Sequence, residues 1–315
     1  MHTLVRRLRY TLPSLALLPL LLSLPLSTPA QQPPDPSQYK SRVIQLAPNF
    51  YVIELTNPKD DTFHIGILPG PDGVLMVDHP MPQLADMIRT TLAQITKDPV
   101  RALINTHWHY DHVGGNELYG AQALIIAHEN VRKRLSVKQT PSWKPEGIGP
   151  YASNAWPRIT YRDSLTVYWN GEQIDLFHFA SAHTDGDSVV FFRHANVAQV
   201  GDVFDGKGHL TAGVDMLGLV KVLDGIVRES DDQTKIVTGH GDISNRADAL
   251  EYKQVLTDTI EKVRAEISHG DTMGTVATEG LPEKWKNYLA ADEQAEVPAW
   301  LREIYRTLTK PDLDR

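Results

Sequence analysis

The stretch Asn105–Asn116, NTHWHYDHVGGN, places three histidines and one aspartate within the six positions from His107 to His112. In an extended chain, residues two apart point the same way, so His107 and His109 can hold one metal ion together. Asp111 and His112 are adjacent, so we expect their side chains to diverge and to serve a second ion. Dinuclear hydrolytic sites keep their ions roughly 3.5 to 4 Å apart. The pattern therefore predicts part of a two-metal site.

Four side chains cannot complete two metal sites, so further ligands must come from elsewhere in the chain. Three later segments offer candidates at strand ends or in the loops beyond them: His183 in SAHTDGDS, Asp202 in VGDVFD and His240 in VTGHGD. Glycine or another small residue flanks each of them, which lets backbone and metal approach closely. Together with the first stretch they make seven predicted ligands, enough for two ions.

The composition restricts both the classes of binding partner that the protein can have and the kind of metal site that it can form. The chain has 315 residues, is 41% hydrophobic and 22% charged, and carries a formal net charge of -8. These values predict a globular protein, and the acidic balance argues against a nucleic-acid or anionic-membrane partner and favours a small-molecule substrate. The sequence contains no cysteine, so a metal site must consist of imidazole and carboxylate groups, which favours zinc over iron or manganese.

The first residues differ from the rest of the chain. Arginines followed by an apolar, proline-interrupted run predict a signal peptide over residues 1–30 rather than a membrane anchor. A Pro-rich tether is expected over residues 31–40 and a single hydrolase domain over 41–315, with helices from about residue 270 that pack on the domain or on a second copy. We therefore expect a periplasmic or secreted protein without a stable membrane anchor after cleavage; the sequence leaves its oligomeric state open.

The hydrophobic pattern predicts a mixed α/β protein. Two series of short strands, each closed by helical patterns, suggest two sheets packed face to face with helices outside. Residues 136–163 contain four prolines and two tryptophans but no period. Such a segment is either a lid over the substrate or an irregular loop with hydrophobic anchors.

The ordered motifs resemble those of the metallo-β-lactamase superfamily. They are MVDH, at the end of a strand at Asp78, then THWHYDH, AHTDGD, GDVF and TGHGD, and the matching order covers the folded region from about residue 43 to 242. The resemblance implies a four-layer α/β/β/α sandwich with the metal site along one edge of the two sheets. It also implies two zinc ions per chain.

The resemblance also assigns roles to individual residues. It implies that His107, His109 and His183 hold the first zinc. It implies that Asp111, His112 and His240 hold the second, with Asp202 bridging both ions as in the glyoxalase-like branch. Asp78 matches an aspartate that supports the site rather than binding metal.

The implied chemistry is hydrolysis of an acyl C–N or C–O bond by a metal-bound hydroxide, since zinc lowers the pKa of water from about 15.7 to about 7. Asp111 is predicted to orient that nucleophile or to pass on its proton, and so is the catalytic residue. Lactams, β-lactams included, lactones and esters are the expected substrates. Cysteine-using β-lactamases of the family have a cysteine in place of Asp202 and a substrate-binding lysine in place of Asp205.

Two other functions are compatible with the predicted ligands. The same ligands carry iron in non-haem iron oxidoreductases of the family, and Asp202 is also compatible with a phosphodiesterase-like hydrolase.

Overall fold

The computed structural model describes residues 35–140, 147–291 and 293–310. The predicted signal peptide lies outside the described residues, as do residues 31–34 of the predicted tether and Trp143 in the irregular segment. The described chain begins with a 3-10 turn at Pro36–Gln38, and its first strand starts at Lys40.

The first half of the chain forms a seven-stranded sheet in which the strands lie side by side in chain order. The first four strands are antiparallel, whereas the fourth to the seventh run parallel. The strands are β1 (Lys40–Ala47), β2 (Phe50–Thr56), β3 (Thr62–Leu68), β4 (Val74–Val77), β5 (Val100–Ile104), β6 (Leu124–His128) and β7 (Ile159–Tyr161).

The second half forms a six-stranded sheet in the order β13-β12-β11-β10-β9-β8. Within it only the pair β11 and β12 is parallel. The strands are β8 (Ser164–Trp169), β9 (Glu172–Phe177), β10 (Val189–Phe192), β11 (Val197–Gly201), β12 (Lys235–Thr238) and β13 (Ser244–Asn245).

Helices cover the outer face of each sheet. In β2, Phe50 and Val52 point into the apolar layer between the sheets, whereas Ile53 and Leu55 point to the helix-covered face, as the period of two residues along a strand requires. The helices are α1 (Ala85–Leu92), α2 (Tyr110–Val113), α3 (Asn116–Tyr119), α4 (Glu129–Leu135), α5 (Met216–Glu229), α6 (Arg246–His269), α7 (Met273–Val276) and α8 (Val297–Thr309). The predicted four-layer α/β/β/α sandwich is therefore confirmed.

The C-terminal helices belong to the same body. Val297, Trp300, Leu301 and Ile304 of α8 are buried in the core formed by the second sheet with α5 and α6. In the part of the chain that the structure describes, no helix has both the length and the apolar character needed to cross a membrane.

Candidate metal centre

The predicted site residues follow the parallel strands of the two sheets. Asp78 comes directly after β4, and the stretch 105–116 comes directly after β5. Asp202 and His240 follow β11 and β12 in the other sheet, and His183 lies in the connection from β9 to β10. Because the carboxyl ends of parallel strands meet at one edge of a sheet, the topology brings these residues to a common cleft.

One group of ligand atoms comes from His107, His109, His183 and Asp202, and these atoms all lie within 4.8 Å of one another. His183 Nε2 is 2.8 Å from His109 Nδ1 and 3.5 Å from Asp202 Oδ2. His107 Nε2 is also 3.5 Å from Asp202 Oδ2. The structure thus places together the three histidines that were assigned to the first ion.

A second group comes from Asp111, His112, Asp202 and His240, again within 4.8 Å of one another. His112 Nε2 lies 3.1 Å from Asp202 Oδ1, and His240 Nε2 lies 3.4 Å from Asp202 Oδ2 and from Asp111 Oδ2. Asp202 is the member that both groups share. This geometry suits a carboxylate that bridges two ions, the role assigned to it by resemblance.

The expected divergence of Asp111 and His112 is wrong. Asp111 Oδ2 and His112 Nε2 lie 3.9 Å apart and face the same group. The chain is extended only up to His109 and then turns into α2, Tyr110–Val113. In a helical turn the two side chains leave the backbone at about 100° to each other, and this turn allows both to reach the second group.

Backbone carbonyls orient two of the histidine rings. His183 Nδ1 lies 2.7 Å from the carbonyl oxygen of Ala212, and His240 Nδ1 lies 2.8 Å from that of Thr62. A carbonyl can only accept a hydrogen bond, so each Nδ1 is the donor. In the neutral ring the other nitrogen, Nε2, then carries the lone pair that a metal requires, and it points into the site.

Asp78 orients the second group without joining it. Its carboxylate accepts hydrogen bonds from the Thr106 amide at 2.8 Å and from the Thr106 hydroxyl at 2.7 Å, and His112 Nδ1 lies 2.9 Å from Asp78 Oδ2. Asp78 is buried and has a positive φ of 62°. An aspartate in this uncommon conformation at a strand end is typical of a functional site, and the supporting role implied by the resemblance stays a prediction that this contact allows.

The residues present fit divalent metal ions. His107 Nε2, His112 Nε2 and Asp202 Oδ1 are buried and make no hydrogen bond of acceptable geometry among the described residues, although His112 Nε2 and Asp202 Oδ1 lie 3.1 Å apart. Leaving such atoms without a partner is costly unless a ligand meets them. Gly239 allows the close approach, because a Cβ at this position would come within 1.8 Å of Asp202 Oδ1. Imidazole and carboxylate donors of this kind suit zinc.

The electrostatics of the cluster favour positive charge. Burial, aided by the neighbouring His112, lowers the pKa of His107 well below its usual value. Burial also opposes charge on His112 and on His240, but nearby Asp202 raises the pKa of both well above the usual value. Although burial opposes charge on Asp111, His112 and His240 lower its pKa to about 2. Metal ions that displace the protons would satisfy the same carboxylates.

A buried aspartate holds the loop that carries His183. The Asp187 carboxylate accepts hydrogen bonds from the Ala182 and Thr184 amides at 3.2 and 3.0 Å, and from the Thr184 hydroxyl. Burial raises the pKa of Asp187 to about 6, although the nearby His183 lowers it. The motif AHTDGD therefore contains both the predicted ligand, His183, and the aspartate, Asp187, whose hydrogen bonds hold the loop of that ligand in place.

The irregular segment 136–163 supplies hydrophobic anchors in its described part. Tyr151 and Trp156 pack with Trp108 around the small core of Val113 and its neighbours. Trp108 donates a hydrogen bond from Nε1 to Asp185 at 3.1 Å, and its ring packs edge-to-face against that of His109, with 4.6 Å between the centroids.

A cavity of about 380 Å³ adjoins the second group and reveals residues that the sequence did not single out. Phe63, His209 and Glu293 line it beside Asp111 and His240. Glu293 comes from the C-terminal part and lies 3.0 Å from His209 Nδ1. No sequence motif marked Glu293, because its position depends on how the C-terminal segment folds back. Asp205 also lines the cavity, and burial together with Asp202 raises its pKa to about 7.

Known structures share this architecture. A metallo-beta-lactamase from Pontibacter korlensis has a TM-score of 0.57 at 16% sequence identity, over 70% of this chain and 100% of its own. The metallo-beta-lactamase DIM-1 has a TM-score of 0.54 at 14% identity, over 69% of this chain and 97% of its own. A sec-alkylsulfatase from Pseudomonas sp. has a TM-score of 0.65 at 14% identity, over 87% of this chain and 52% of its own, so this chain spans about half its length.

The sequence itself matches a family model over more than half of its length. A comparison with curated proteins found no match. The model of the metallo-beta-lactamase superfamily, in contrast, matches residues 65–240, which contain all seven residues of the two ligand groups. The chain therefore belongs to the metallo-β-lactamase superfamily.

Proposed function

We propose that this protein is a secreted dizinc hydrolase that cleaves an acyl C–N or C–O bond in a lactam, lactone or ester. The observation that carries the proposal is the pair of ligand groups that share the buried Asp202. When bound, two zinc ions supply Lewis acidity, which lowers the pKa of water to about 7 and polarises a carbonyl oxygen.

The residues of the chain have separate tasks in this reaction. Asp202 would help to hold both ions, because it belongs to both ligand groups. Asp111 lies on the side of the cluster that faces the cavity, with His240 Nε2 3.4 Å from its Oδ2. Its carboxylate can accept a proton from the attacking water and transfer it to the leaving group. Packing of the two sheets fixes all these groups in advance, which is where most of the catalytic advantage of such a site arises.

Metal content is the first test. We expect protein purified without added metal to contain close to two zinc ions per chain by elemental analysis. A content near zero would contradict the proposal. Iron as the main metal, with a visible absorption band, would favour a non-haem iron oxidoreductase instead.

The second test is hydrolysis of one representative of each substrate class by the zinc-loaded protein. The panel comprises a chromogenic β-lactam, a homoserine lactone, an aryl ester, an aryl phosphodiester and an aryl sulfate. Turnover of the lactam, lactone or ester that is lost on chelation supports the proposal. Turnover of the phosphodiester alone would instead indicate the phosphodiesterase-like branch.

A second candidate is sulfate ester hydrolysis. It is favoured by the share of this chain that the alkylsulfatase structure covers, 87% against 70% for the Pontibacter enzyme. The charge of the cavity argues against it, since Asp205 and Glu293 both line the approach to the second group and would repel an anionic sulfate.

A further inference from the structure

The cavity beside the second ligand group has a pronounced charge asymmetry. Besides the ligand Asp111, carboxylates from four separate parts of the chain line it, whereas Lys59 is the only lysine or arginine among its described lining residues. These carboxylates are Asp60, Asp61, Asp205, Asp242 and Glu293.

One carboxylate of this cavity, that of Asp205, is only partly satisfied by the protein. Asp205 Oδ2 accepts a hydrogen bond from the Thr211 hydroxyl at 3.1 Å. Asp205 Oδ1 is buried and has no hydrogen-bond partner among the described residues. An unmatched buried carboxylate oxygen is costly, so a positive group in the adjoining cavity would stabilise Asp205.

An aromatic ring completes the wall. Phe63 lines the same cavity, and its ring centroid lies 4.8 Å from that of His240 in an edge-to-face arrangement. An aromatic face attracts organic cations through its quadrupole, and ammonium recognition commonly combines such a ring with carboxylates. A volume of about 380 Å³ suits a small organic group.

We propose that the substrate carries an ammonium group, which the cavity formed by Asp205, Phe63 and the surrounding carboxylates holds beside the metal centre. The inference rests on the proposed hydrolase function and narrows its substrate class. The scissile carbonyl would lie at the two ligand groups, and the cationic end would extend past His240 toward Asp205. An anionic group in the same place would meet the carboxylates and be rejected.

The test compares three aryl esters that differ in the charge at the end of the acyl chain. They are the p-nitrophenyl esters of trimethylammoniobutanoate, of its carbon isostere with a tert-butyl group, and of adipate as the half-ester. Each enzymatic kcat/KM is divided by the rate of spontaneous hydrolysis. We expect the cationic ester to exceed the neutral isostere by about tenfold or more, and the neutral isostere to exceed the anion, because a partly buried charge pair is commonly worth a factor of that size.

Two variants locate the effect. At about pH 8.5, where the Asp205 carboxyl with its pKa of about 7 is ionised, Asp205→Asn should reduce the ratio of cationic to neutral kcat/KM about tenfold, since it removes one charge without changing shape. Asp60→Asn should reduce it less, because Asp60 is exposed and its charge is screened. Asp60 has a φ of 65°, which asparagine adopts readily, so this variant should fold. Asp86→Asn, at an exposed position of α1, is the control, and its ratio should equal that of the wild type.

Binding without turnover separates failure of the inference from failure of the proposed function. Isothermal titration of the zinc-loaded protein with benzyltrimethylammonium should show binding that Asp205→Asn weakens about tenfold, and benzoate should bind more weakly. Hydrolysis of the neutral ester without a preference for the cation would overturn the inference and leave the hydrolase proposal standing. If no lactam, lactone or ester is hydrolysed, the hydrolase proposal fails, and absence of benzyltrimethylammonium binding would then refute the cation site as well.

Discussion

Replacing Asp78 with asparagine tests how far the second ligand group depends on a residue that does not belong to it. Asp78 Oδ2 lies 2.9 Å from His112 Nδ1 and 2.7 Å from the Thr106 hydroxyl, whereas Oδ1 accepts from the Thr106 amide at 2.8 Å. Asparagine has nearly the same shape and tolerates the positive φ of 62° at this position. The backbone should therefore remain in place.

The expected losses of stability and of zinc affinity follow from the side-chain amide of asparagine, which has one acceptor oxygen where aspartate has two. Only one of its two positions is an acceptor, so either Thr106 or His112 loses its partner, and the remaining bonds lose their charge. One charge-assisted hydrogen bond contributes about 1.5 to 3 kcal/mol, and we expect the free energy of unfolding of the metal-free protein to fall by that amount. Loss of such a contact to a ligating histidine commonly weakens metal binding about 10- to 100-fold.

The measurement is a stepwise zinc titration of the metal-free protein against a chromogenic chelator. The second group should weaken more than the first, because Asp78 contacts His112 directly and reaches His107 only through Thr106, whose hydroxyl is 3.2 Å from His107 Nδ1. Asp86→Asn again serves as the control. If Asp78→Asn lowered stability but left both zinc affinities at the wild-type value, Asp78 would be a structural residue only and the reasoning would be refuted.

Three further outcomes are expected. Asp111→Asn should lower kcat by a factor of about 100 or more with an unchanged circular dichroism spectrum, because it removes the proposed proton acceptor; turnover at the wild-type rate would remove its catalytic role. Chelation should lower the melting temperature in calorimetry and zinc should restore it, since a ligand at 1,000 times its Kd stabilises the folded state by about 4 kcal/mol; an unchanged melting temperature would argue against a metal that binds the folded state. Glu54→Gln should lower the free energy of unfolding by about 2 kcal/mol at pH 6, because hydrogen bonds from His64 and Arg42 outweigh burial and lower the pKa of Glu54 to about 2. That contribution is complete above the usual pKa of 4.5 and is lost as the pH falls toward 2, so the difference between variant and wild type in urea unfolding should shrink over this range; a constant difference would contradict it.

The strands and the two-metal pattern were predictable because their signals are local. The period of two residues in β2 and β10 places apolar residues on both faces, which is enough to require two covered sheets. His107 and His109 lie at extended spacing and fall in one ligand group, in agreement with simple strand geometry. Asp202 was assigned as a bridge from family resemblance, and the shared group is compatible with that role.

The short helical turn at Asp111 and His112 could not be read from the sequence. The helix α2 has only four residues, Tyr110–Val113, too few for a periodic signal. Its geometry comes from tertiary contacts such as the hydrogen bond from the His79 amide to the carbonyl oxygen of His112, at 2.9 Å. The sequence pattern therefore assigned both side chains to the second group, where the structure places them, but it predicted divergence where the helical turn makes them converge.

The contribution of the C-terminal segment to the site could not be predicted from the sequence for a different reason, because this segment acts on the site indirectly. It lies beyond the family match, which ends at residue 240, and its amphipathic pattern predicts only packing. In the structure Trp300 Nε1 donates a hydrogen bond to the carbonyl oxygen of Thr211 at 3.0 Å, and Glu303 accepts one from the Gly213 amide at 3.1 Å. Between these two points lies the carbonyl of Ala212, which faces His183 Nδ1. Because the same segment also brings Glu293 to the cavity, the part of the chain outside the family match both orients a predicted ligand and contributes to the charge that would select the substrate.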